Sequence, residues 1–152
     1  MKVVFLDIDG VLNTEAYREN PDVDYFEEPI SELHMCLLEH LIKVTAAKIV
    51  LSSTWRIYWE PGEQQYDKAG EYFNKIFRKY GLDIFDKTPE LKDRDAEITE
   101  WLNSYPGHVD SFVIIDDFDF TWSPCNESHL VKTNDETGLD EVAIETAIKI
   151  LQ

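Results

Sequence analysis

Three short stretches hold the residue types that could do chemistry: Asp7-Ile8-Asp9-Gly10, Ser52-Ser53-Thr54-Trp55-Arg56 and Asp116-Asp117-Phe118-Asp119. Carboxylates converging on one point repel one another unless a cation lies between them. A donor set made of oxygen alone suits Mg²⁺ better than zinc. A carboxylate beside such a cation is also a nucleophile toward phosphorus, through an acyl phosphate. Asp7 and Asp9 are two residues apart, so in a continuing strand they would point to opposite faces. For both to serve one site the chain must leave the strand at Ile8, and Gly10 supplies the conformational freedom for that. Alone, Asp-x-Asp-Gly is also the composition of an ordinary turn. The strand-terminal serine and the later acidic pair, in that order, are what give it weight.

Each stretch follows an apolar run. Val3-Val4-Phe5-Leu6, Lys48-Ile49-Val50-Leu51 and Phe112-Val113-Ile114-Ile115 are short, rich in β-branched residues and nearly unbroken, like strands buried on both faces of a parallel sheet. Residues 82–85 and 129–132 are weaker strand candidates. Helical spacing falls between them. Residues 31–45 open on Ser31 as N-cap and carry Leu33, Leu37, Leu41 and Val44 as the expected inner face. Residues 66–80 carry Ala69, Phe73, Ile76, Phe77 and Tyr80 and stop at Gly81. Residues 95–105 and 140–151 complete the set. The alternation predicts one α/β domain over residues 1–152: a three-layer α/β/α sandwich on a mainly parallel, five-stranded Rossmann-like sheet. In such sheets functional residues gather beyond the carboxyl ends of the strands.

Asp7-Ile8-Asp9-Gly10-Val11-Leu12 resembles the first motif of haloacid dehalogenase (HAD) superfamily phosphatases. Ser52 resembles the second motif and Asp116-Asp117 the acidic fourth. Leu51-Ser52-Ser53-Thr54-Trp55-Arg56, Arg94-x-x-Glu97-Ile98-x-x-Trp101-Leu102 and Thr133-x-x-x-Thr137-Gly138-Leu139 are further similar to the small HAD domains of bacterial and phage RNA-repair-type proteins. The resemblance implies an Mg²⁺-dependent phosphatase without a large cap domain. In it Asp7 is the nucleophile, Asp9 the general acid and base, and Ser52 a donor to the phosphoryl oxygens. Mg²⁺ is held by the Asp7 carboxylate, the Asp9 backbone carbonyl and the acids Asp116 and Asp117, with Asp117 the more direct ligand. Arg94 is the expected third-motif cation and Lys92 its alternative. Arg56 is expected to clamp a substrate phosphate, with Ser53 and Gly10 also at the substrate.

The composition narrows the partners. The 152 residues hold 31 acids against 14 bases, a formal net charge of −17. Such a chain is ill suited to gripping long nucleic acid by a basic footprint. An open, uncapped site suits a phosphate on a macromolecule or a nucleic-acid end, and an oligomeric partner could close it. Free nucleotides or other small phosphoesters are the alternative substrates. A receiver-like module that holds phosphate on Asp, or a non-catalytic HAD scaffold used for binding, is the alternative of another class. A receiver has its acidic pair at the first strand, whereas here the pair comes late. No apolar run is long enough for a membrane span and no signal peptide is visible, so the expected location is cytoplasmic. Cys36 and Cys125 form no framework, and Cys36 is expected in the core. His34 and His40 are expected at the surface. Trp55 is expected to pack on the second strand, with Tyr58, Trp59 and Trp122 partly in the core. The acidic segment from Glu15 to Glu32 is expected to be a solvated loop and helix start.

Overall fold

The computed structural model describes residues 1–119 and 121–152. Its elements run β1 (Lys2–Leu6), α1 (Glu15–Glu19), α2 (Glu32–Thr45) and β2 (Lys48–Leu51), then a 3-10 turn (Thr54–Tyr58), α3 (Lys68–Lys79) and β3 (Ile84–Lys87). The chain continues through α4 (Arg94–Ser104), β4 (Ser111–Asp116), α5 (Pro124–Glu127), β5 (Leu130–Lys132) and α6 (Glu141–Leu151). The five strands form one all-parallel sheet in the order β3-β2-β1-β4-β5. The chain therefore builds outward from β1 on one side, then crosses back to build on the other. That reversal puts a crevice beyond the carboxyl ends of β1 and β4.

Alternation along β1 sorts the core into two layers. Val4 and Leu6 face Met35, Leu38, Phe73, Phe77 and Ile144 of α2, α3 and α6. Val3 and Phe5 face Ile98 and Trp101 of α4 on the opposite side. The layers are thus α2/α3/α6, sheet and α4, the expected sandwich. Among the described residues no insertion forms a large cap. No described helix is long and apolar enough to cross a membrane.

Three local expectations are corrected. The face of α2 is not the one its leucines suggest: Leu33 is 84% exposed and Val44 52%, while His34, Met35, Leu38, Leu41 and Thr45 are buried. His34 is drawn inside because its Nε2–H donates to Thr137 O at 2.8 Å, bridging α2 to the loop before α6. Cys36 lies exposed, on the outer side of the same helix. The third strand begins two residues later than the apolar pattern implies, because Leu82 belongs to the end of α3. Gly81, at φ +71°, donates to Arg78 O while Leu82 N–H donates to Phe77 O and its side chain is buried. That is a Schellman closure, which satisfies two orphan carbonyls.

Candidate active site

The site begins where β1 stops. Asp7 N–H still donates to Ile115 O of β4, and Ser52 N–H donates to Leu6 O. Then Val11 and Leu12 N–H both return to Ile8 O, so the chain turns out of the sheet at Ile8 as the Asp-x-Asp spacing requires. Gly10 closes this turn at φ +75°, and a Cβ there would stand 2.1 Å from Asp117 Oδ2. It is glycine because of both the backbone sign and the approach of the late acid. Thr133 Oγ1 donates to Gly10 O at 2.7 Å, tying in the strand after the acidic pair.

Asp7, Asp116 and Asp117 bring carboxylate oxygens within 4.8 Å of one another. Arg94, buried at the start of α4, places Nη1 2.7 Å from Asp116 Oδ2 and 3.2 Å from Asp7 Oδ2. Asp116 is fully buried, and its Oδ1 accepts from Phe118 N–H. With all three acids ionised, one guanidinium would leave two negative charges uncompensated in a confined space. Burial and then the Asp116 charge hold Asp7 well above the usual carboxylate range, and the same two causes raise Asp117. Burial would lower Arg94, but the charges of Asp7 and Asp116 outweigh it and raise it. An all-oxygen cluster with excess negative charge fits a hard divalent cation.

Ser52 is completely buried, at the end of β2 beside β1, and its Oγ has no hydrogen-bond partner among the described residues. A buried hydroxyl without a partner is costly unless something else supplies one. Asp9 is positioned differently from Asp7. Its Oδ1 accepts from Tyr25 O–H at 2.7 Å and Asn13 Nδ2 at 2.8 Å, and its Oδ2 from Trp55 Nε1–H at 3.2 Å. Asn13 in turn is fixed by Gly10 N–H, Arg18 Nη1 and Pro29 O, and Arg18 also pairs with Asp135 at 2.6 Å.

Of the two candidate cations, Arg94 lies in the cluster and Lys92 is exposed in the loop before α4. Arg56 is a correction. Instead of reaching for substrate it is buried, with Nη2 on Glu97 Oε1 at 2.8 Å and its other N–H groups on Thr88 O, Ser53 O and Pro89 O. The acid three residues into α4 draws it inward. Ser53 is likewise buried, and its Oγ accepts from Trp55 N–H to cap the 3-10 turn. Asp119 is exposed and paired with Lys132. Trp55 packs edge-on to Phe73 of α3. Tyr25, Asn13 and Arg18 were not singled out from the sequence. They lie in or beside the segment read as a solvated acidic loop, and no local pattern marks their approach to Asp9.

A family model described as "HAD domain in Swiss Army Knife RNA repair proteins" matches residues 3–144, nearly the whole chain. No curated protein and no solved structure gives a significant match.

Proposed function

The chain belongs to the family of HAD domains in Swiss Army Knife RNA repair proteins, and on that premise we propose that it is an Mg²⁺-dependent phosphatase. It removes a terminal phosphate from a polynucleotide through an aspartyl phosphate on Asp7. The observation that carries this reading is the cluster of buried Asp7 and Asp116 with half-buried Asp117, in which the guanidinium of Arg94 pairs with Asp7 and Asp116. The Asp7 carboxylate, the Asp9 carbonyl and Asp117 would hold the cation, with Asp116 kept beside them by Arg94. Bound Mg²⁺ would supply positive charge to the phosphoryl oxygens and to the carboxylates around it.

The residues then divide the work. Asp7 attacks phosphorus and the ester P–O bond breaks, while Asp9 donates a proton to the leaving oxygen. Asp9 next takes a proton from water as that water attacks the aspartyl phosphate, which restores Asp7 and releases inorganic phosphate. Ser52 Oγ, without a partner among the described residues, is the donor suited to a phosphoryl oxygen. The net charge of −17 fits contact with an end rather than with a length of polyanion.

Asp7→Asn decides the matter. The variant should keep its circular dichroism spectrum and lose Mg²⁺-dependent phosphate release from phosphate-ended oligonucleotides by roughly a thousandfold or more. Turnover near the parent level would remove Asp7 from the nucleophile's role.

A further inference from the structure

Beside Asp9 opens a cleft of about 690 Å³, lined by none of Asp7, Asp116 and Asp117, that the phosphoryl chemistry leaves unused. It lies between the segment after α1, the 3-10 turn and the start of α3. Asp9 stands at its edge, held there by two residues of the cleft wall, Tyr25 and Trp55. Phe26, Ile57 and Tyr58 line it as well. These last three are exposed by 80%, 47% and 42%, an unusual concentration of large apolar groups at one concave surface. Trp55 meets Tyr25 at 86° and Tyr58 at 57°, so these rings do not close on one another by parallel stacking.

The charges choose among guests. Glu27 and Asp67 join Asp9 on the lining, against Lys68 alone. A phosphate or carboxylate seated within the cleft itself is disfavoured, whereas an uncharged planar group there meets aromatic walls. Aromatic side chains hold nucleobases through their π faces with little regard to sequence. We propose that this cleft is the leaving-group subsite and that it stacks the base of a nucleoside monophosphate unit. The assignment rests on the phosphatase reading, since Asp9 can protonate only a leaving oxygen on its own side. The unit is either a free mononucleotide or the last residue of a polynucleotide; the chemistry at the cleft is the same.

The test is a fluorescence titration of full-length Asp7→Asn with Mg²⁺, which consumes no substrate. The probes are nucleoside monophosphates, ribose 5-phosphate and a phosphate-ended RNA trinucleotide. Nucleoside monophosphates should bind about tenfold more tightly than ribose 5-phosphate. Tyr58→Ala, at an exposed position, should erase that advantage, and Phe26→Ser should reduce it. Tighter binding of the trinucleotide assigns the unit to a chain end, and equal binding to a free nucleotide. Equal affinity for nucleotide and ribose 5-phosphate overturns the subsite. So does a pair of variants that alter only self-association in sedimentation. A base preference without turnover by the parent chain would instead leave a base-binding cleft and remove the phosphatase reading together with the leaving-group role.

Discussion

Arg56 ties three parts of the chain together: the turn after β2 through Ser53, the loop after β3 through Thr88 and Pro89, and α4 through Glu97. Both members of the ion pair are more than nine-tenths buried. Removing one partner strands the other's charge, which costs about 3–5 kcal/mol. Arg56→Ala and Glu97→Ala should therefore each lower the unfolding free energy by about that amount in urea titrations. The double variant Arg56→Met/Glu97→Leu should recover most of the loss. A phosphate clamp at the surface would behave oppositely, raising KM while leaving the urea midpoint unmoved. At this scale Asp7, Ser52 and Asp116-Asp117 were legible because each interrupts an apolar run with a polar group, a local signal. The inward turn of Arg56 was not, since Glu97 lies 41 residues away. The grip of Tyr25 and Trp55 on Asp9 was hidden for the same reason.

The central strands were legible as short unbroken apolar runs, as in β1, and helices wherever one period dominated, as in α3. In α2 apolar residues occupy too many positions for spacing alone to select the buried face. Packing on β1 and the bond from His34 to Thr137 O select it. The end of α2 carries a separate weakness. Ala46 adopts the left-handed conformation, φ 55° and ψ 26°, while its N–H donates to Ile42 O. A side chain there is unfavourable by roughly 1–2 kcal/mol, partly offset by the greater unfolded-state freedom of glycine. Ala46 is exposed, so nothing packs on its methyl group to compensate. Ala46→Gly should therefore stabilise the protein by about 0.5–1 kcal/mol, seen as an increase in melting temperature of a few degrees.

Over the whole molecule, the charge of −17 has two parts: a solvated acidic surface and a buried cluster on one sheet edge. The cluster gives the metal-free protein a local pH dependence. Asp7 and Asp117 have folded-state pKa values raised by burial and by the Asp116 charge. A raised carboxyl binds its proton more tightly folded than unfolded. Its contribution is therefore favourable at low pH and is lost as pH climbs from the ordinary carboxylate range through the raised folded value. A divalent cation should offset that loss where the acids are ionised. Thermal unfolding at pH 5 and pH 7.5, with Mg²⁺ or with a chelator, should show a larger Mg²⁺-dependent gain at pH 7.5. At a hundredfold excess over the dissociation constant the gain is about 2.7 kcal/mol. Asp7→Asn should shrink it, and an undiminished gain in that variant would place the cation elsewhere.

The pairing of β1 with β4, which sets Asp7 beside Asp116, also bears on how the protein is made. β1 occupies the centre of the sheet, yet one of its two neighbours is translated more than a hundred residues after it. At about 5–20 residues per second that leaves several seconds or more in which its apolar backbone edge has no β4 to cover it. Ribosomes that stall before residue 111 would display an open parallel edge, a template for wrong pairing, with no chance of assembling the acidic cluster. Until β4 emerges β1 therefore lacks one of its two neighbours, and Asp7 is among the last residues of the molecule to acquire its surroundings.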